Sequence, residues 1–176
     1  VSQTQNHPAI QGGFALYSKW GPYIGTWGSN VNFPDINGKT ATSELDYYGG
    51  FRKALGKIVT ADIGYVLYTN PGTQGLSFSD FYNKLDFTIN DITSAGIGVN
   101  YSSNTYALHE VGVYTYGWTS IGIPAKYLAG IEGFSLDGQV GYYAFEGPIL
   151  QGRDYLVYGV GISKTYKALK FTVSFQ

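Results

Sequence analysis

Few residues in this 176-residue chain are able to do chemistry, and their spacing limits what they do. Glu44 and Asp46 stand two positions apart, so on an extended strand both carboxylates share one face. Such i and i+2 neighbours repel or take up a basic partner; they do not make an acid/base pair. Serine-histidine-aspartate catalysis has two imidazoles to draw on. His7 lies near the start of the chain, and His109 has the parity of Val111 and Val113, the apolar side of a strand near its rim. Neither is a convincing base. The glycines of GIGVN (96–100) and YGVGIS (158–163) resemble pieces of a phosphate loop, but they lie inside strands with no helix following, so the dinucleotide reading fails. Glycine there permits curvature, or close packing of tyrosines inside a narrow barrel. With no Cys and two isolated His, thiol nucleophiles and most metal sites drop out. No catalytic residue, no metal and no cofactor is expected, and the chain does not read as an enzyme.

The remaining charges point the same way. Lys and Arg number 11 against 12 Asp and Glu, giving a formal net charge of −1 and no basic cluster longer than two residues. Nucleic acid is therefore excluded as a partner. Charged residues make up 13% of the chain, roughly half the usual share, while the 44% apolar fraction is ordinary. Gly, Tyr, Ser, Thr and Asn fill the gap. No run approaches the ~18 apolar residues of a transmembrane helix. The opening VSQTQNHP lacks the basic and apolar regions of a signal peptide, and the missing initiator Met fits a removed signal or a chain cut within its gene product.

The elements that must position these residues are strands. Period-2 alternation, punctuated by Gly, Pro, Asn and Asp, predicts ten strands over 8–19, 22–33, 42–54, 58–70, 77–90, 93–102, 106–119, 133–146, 153–165 and 167–176. Soluble strands usually run five or six residues, whereas a tilted bilayer-spanning strand needs about nine to eleven. The links alternate: tight turns at 20–21, 55–57, 90–92 and 166–167 against longer links at 34–41, 71–76 and 147–152, the habit of outer-membrane barrels. Two links break the rule: 103–105 is short on the loopy side, and 120–132 is long on the tight side, with room for a helical turn after Pro124.

Parity then sorts the side chains. One face carries Lys19, Glu44, Asp46, Arg52, Asp62, Asp80, Lys84, Asp86, Glu110, Asp137 and Lys170, seven acids and four bases, expected to line a mildly acidic lumen. The other carries Leu45, Phe51, Ile63, Tyr65, Leu67, Leu85, Phe87, Val111, Val113, Leu156, Tyr158, Val160, Phe171 and Val173, expected to face lipid. A soluble barrel gives the mirror arrangement, but its outer wall would be dressed in Lys and Glu. Here the polar face is mostly Gly, Ser, Thr, Asn and Tyr. Two readings of the lumen charges stay open: a selectivity lining for cations or polar solutes, and salt-bridged filler that stiffens a small barrel. Aromatics near strand ends, Trp20, Tyr23, Phe33, Tyr101, Tyr106, Trp118 and Tyr166, are expected at the membrane interfaces.

Particular segments add a resemblance: VSQT-QNHPAIQGGF at the opening, YIGTWGSNVNF (23–33), SELDYYGGF (43–51), DIGYVLYTNPG (62–72) and DYLVYGVGISKTY (154–166). They resemble the proteobacterial TorF-type porin family, also known as Gcw_chp, most specifically at Trp27–Asn30, Glu44–Asp46 and the Y-x-x-Pro-Gly link ending at Gly72. The resemblance implies an all-β, antiparallel up-and-down transmembrane barrel in the bacterial outer membrane, with a pore role and no catalytic motif. Relatives carry one further strand at each end, which implies a single domain of about ten strands here and about twelve in the complete barrel. The expected function is a narrow channel for small polar solutes or cations, with outer-membrane lipid as its surroundings. The alternatives are a structural or assembly barrel, whose open edges pair with strand-donating neighbours in a homo-oligomer, and a soluble ligand-binding barrel.

Overall fold

Strands dominate because β-branched and aromatic residues alternate with small polar ones over runs too long for a single soluble strand. The computed structural model describes residues 7–34, 38, 40–73, 75–106 and 108–175. It contains ten strands: β1 (Gln11–Tyr17), β2 (Pro22–Pro34), β3 (Thr40–Ala54), β4 (Val59–Thr69), β5 (Phe78–Thr88), β6 (Thr93–Thr105), β7 (Glu110–Gly122), β8 (Phe134–Glu146), β9 (Tyr155–Tyr166) and β10 (Leu169–Phe175). They form one antiparallel sheet in chain order, each strand paired with its sequence neighbours. A 3₁₀ turn at Ala125–Tyr127 follows Pro124, as the 120–132 link predicts. The 35–37 part of the 34–41 link, Gln176, the first residues of the opening segment and the side chain of Phe33 lie outside the described residues.

The tight turns have local causes. Gly21 takes φ +114° and its N–H returns to the Ser18 carbonyl at 3.1 Å. The Asn90 side chain accepts from Ile92 N and Thr93 N at 3.0 and 2.9 Å, an Asx turn joining β5 to β6. The largest departure from the sequence reading is β7, expected at 106–119. A bulge between Ser102 and Thr105 carries β6 further, and the chain then turns through Tyr106 and His109, both at positive φ. His109 is exposed in that turn.

The sheet curls with its polar face inside. Tyr23 on β2 reaches Asp62 on β4, and Arg52 on β3 reaches Asp86 on β5, each across an intervening strand. Such contacts form only where side chains converge on a concave face. Burial is accordingly inverted: Asp80 is 1% exposed and Glu110 3%, while Ile63 is 55% and Val173 83%.

Candidate channel lining

The lining begins with strand register. Arg52 lies directly opposite Asp62, and Asp62 opposite Lys84, so one row across β3, β4 and β5 reads cation, anion, cation on the concave face. Arg52 Nη1 stands 3.6 Å from Asp62 Oδ2 and Nη2 2.7 Å from Asp86 Oδ2, and Lys84 Nζ is 3.2 Å from Asp86 Oδ1. Lys84 Nζ also lies 5.7 Å over the Trp118 ring. Across β7 to β10, Asp137 accepts from Ser120 at 2.6 Å, Ser135 at 3.1 Å and Ser163, and pairs with Lys170 at 3.2 Å. These groups all sit in the half nearer the tight turns, where each of the concave-face acids Asp62, Asp86 and Asp137 has a base.

The half nearer the long links differs. Glu44, Asp46, Asp80 and Glu110 are all buried on the concave face, and none forms an ion pair among the described residues. Tyr68 Oη donates to Asp80 Oδ2 at 3.3 Å, and Asn100 Nδ2 approaches the same oxygen at 3.4 Å. Asp46 Oδ1 and Asp80 Oδ1 have no hydrogen-bond partner among the described residues. Glu110 has a separate task. Its carboxylate accepts the backbone N–H groups of Ile149 and Leu150 at 2.5 and 2.6 Å, folding the β8–β9 loop inward and burying Leu150. Asp154 secures the far side of that loop through Phe145 N at 3.0 Å and Tyr142 Oη at 2.9 Å.

Between the two halves lies an aromatic array that parity alone did not single out. Tyr116, Tyr114, Tyr143 and Tyr155 stack in series at 5.2, 4.9 and 5.4 Å, and Phe145, Tyr106, Phe78 and Tyr68 continue it toward the long links. Tyr106 and Tyr155 share a hydrogen bond of 2.9 Å, and burial first, then that neighbour, pushes the Tyr106 phenol above its ordinary range. Four of the inward tyrosines lie over glycines, Tyr48 over Gly25, Tyr82 over Gly64, Tyr116 over Gly98 and Tyr114 over Gly141, where any Cβ would collide with the ring. Of the glycines that superficially suggested a phosphate loop, Gly96 and Gly98 thus serve close aromatic packing against Trp118 and Tyr116, whereas Gly161 lies against Ser174 and the Val173 carbonyl of β10.

Of the expected lumen charges, ten lie on the concave face, and Lys19 is the correction. It sits in the β1–β2 turn, exposed, with Nζ 5.0 Å over Trp20, because β1 ends at Tyr17. Among the residues expected toward lipid, Phe51, Ile63, Tyr65, Leu67, Leu85, Leu156, Tyr158, Val160, Phe171 and Val173 are exposed on the convex face; Leu45, Phe87, Val111 and Val113 are half-buried there. The interfacial aromatics divide. Trp20, Tyr101 and Tyr166 are exposed, but Tyr23 reaches Asp62, Trp118 lies beneath Lys84, and Tyr106, in the turn after β6, packs on Phe78 and Phe145, so these three turn inward. No three His, Cys, Asp or Glu side chains converge as metal ligands among the described residues.

Residues 1–176 match the family described as "Bacterial protein of unknown function (Gcw_chp)". The chain belongs to the Gcw_chp family. A solved structure described as a KdgM porin shares the fold, with a TM-score of 0.66 at 8% identity, over 94% of this chain and 81% of the porin. No curated protein matches the sequence. The all-β, antiparallel, curled architecture of this Gcw_chp chain is therefore a porin-type fold.

Proposed function

We propose that this protein is a narrow channel of the bacterial outer membrane that passes small polar solutes and favours cations, and that it acts passively and not as an enzyme. The observation that carries the reading is the inverted burial. Carboxylates are buried on the concave face, while Leu, Ile, Val, Phe and Tyr lie exposed over the convex face of all ten strands. A soluble monomer rarely exposes an apolar patch beyond a few hundred Å². Lipid accepts such a face, and a strand architecture spans it only as a closed barrel. The same observation disfavours a soluble ligand-binding barrel. The porin-type fold and the resemblance to TorF-type porins support the membrane and the role.

Cation preference follows from the charge distribution along the bore. The concave-face acids near the tight turns are matched by Arg52, Lys84 and Lys170, so the unmatched field comes from Glu44, Asp46 and Asp80, with Glu110 hydrogen-bonded to backbone N–H groups but paired with no cation among the described residues. Reconstituted into a planar bilayer under a KCl gradient, the protein should show a cation-selective reversal potential. Asp46→Asn and Asp80→Asn should move it toward zero, and Asp62→Asn should move it less because Arg52 already matches that charge. Absence of conductance, or an unchanged potential in the Asp46 and Asp80 variants, would overturn the reading.

A further inference from the structure

The concave face holds a cavity of about 290 Å³, just below the ~300–1,000 Å³ of small-molecule sites, whose composition is unusual for a simple ion path. Five tyrosines line it, Tyr17, Tyr23, Tyr48, Tyr82 and Tyr116, together with Arg52, Asp62, Lys84 and Asn100. Accepting the channel reading above, we propose that this cavity binds one ring of a neutral saccharide, holding the solute during passage.

Three features point to that class. The first is aromatic surface. Tyr faces carry a negative quadrupole that attracts the weakly positive C–H faces of a sugar ring, and the hydroxyl at the tip stays available for hydrogen bonding. The second is charge balance. Arg52 and Lys84 meet Asp62 and Asp86 within 3.6 Å, so the polar groups present donors and acceptors without a net charge to favour a free ion of either sign. Arg52 and Lys84 keep 37% and 26% of their side chains exposed, leaving N–H groups free to donate to solute hydroxyls. The third is an unmet acceptor. Asn100 reaches Asp80 through Nδ2, but its buried Oδ1 has no hydrogen-bond partner among the described residues. The oxygen is closed to solvent in this conformation, and a turn of the Asn100 amide toward the cavity it lines would present it to a solute hydroxyl. From Tyr116 the stacked rings of Tyr114, Tyr143 and Tyr155 lead toward the long links, so successive sugar units meet aromatic surface before they reach the cavity.

The test uses the full chain, folded in detergent for calorimetry and in planar bilayers for current, with maltotriose as the probe. Saturable binding at millimolar concentration is expected, together with a concentration-dependent block of ion current beyond that of glycerol at equal viscosity. Tyr116→Ala should weaken binding at least tenfold, Tyr116→Phe should retain most of it, and Tyr158→Ala on the convex face should leave it unchanged. Heat-modifiable gel mobility verifies folding of each variant. Conductance without maltotriose binding would overturn this proposal and leave the channel reading standing. Binding without conductance would do the reverse. An acidic trisaccharide bound tenfold more tightly than maltotriose would overturn the neutral class.

Discussion

The residue that best exposes the economy of the lumen is Arg52. It is the one guanidinium on the concave face among the described residues, and it bridges Asp62 and Asp86 from a strand between which and Asp86 lies β4. Arg52→Ala should destabilise the folded state by about 1–3 kcal/mol, because Asp62 keeps only the Tyr23 hydroxyl and Asp86 only Lys84 while one buried oxygen of each loses its guanidinium donor, read from urea unfolding midpoints. On the opposite face the sign of the experiment reverses. Ile63 is the fifth residue of the eleven-residue β4 and is exposed, so Ile63→Lys should cost about 2–4 kcal/mol in lipid vesicles if lipid covers it, and nearly nothing if water does. The parity of Arg52 and Ile63 was readable from sequence because alternation is a property of a single strand. Which acid each base meets was not readable, since Arg52 and Asp86 are joined by curvature, which no single strand encodes.

Among the elements, the β8–β9 loop is held by a lumen-side carboxylate, Glu110. Glu110→Ala would leave the Ile149 and Leu150 N–H groups without their acceptor, and should release the loop at a cost of about 1–3 kcal/mol. Trypsin cleavage at the exposed Arg153 should then quicken, while Glu146→Ala should leave the rate unchanged. The sequence reading placed Glu110 in the lumen from its parity but assigned it to a lining, because a loop's path over the rim leaves no periodic trace. It set the start of β7 four residues early for a related reason. Positive φ at Tyr106 and His109 uses residues that carry no turn signature, whereas the Gly21 and Asn90 turns announce themselves by composition.

At the scale of the whole molecule, β1 and β10 each pair with one neighbour among the described residues, and the other edge of each is unpaired there. Unpaired N–H and C=O groups cannot be left in lipid, so in a membrane both edges must be closed, by further strands of the same gene product or by strands of neighbouring subunits. Intact mass and terminal peptides of the mature protein distinguish them. A mature protein starting at Val1 and ending at Gln176 selects neighbouring subunits, and cross-linking should then yield oligomers; a longer mature protein that stays monomeric selects its own strands. The ten strands and their order were legible because tight turns force sequential pairing. Closure was not, because it depends on which chain meets the two edges.

The pairing of flat tyrosines with bare glycines has one more consequence. In the proposed channel, the width of the aperture would be governed by positions that contribute no side chain to it. An extra methyl at Gly98 would tip the Tyr116 ring away from the wall and into the bore, narrowing the path while every charge and hydroxyl stays in place. Gly98→Ala should therefore lower single-channel conductance with little change in ion selectivity, so that calibre and chemistry can be altered separately, one through the glycines and the other through the carboxylates.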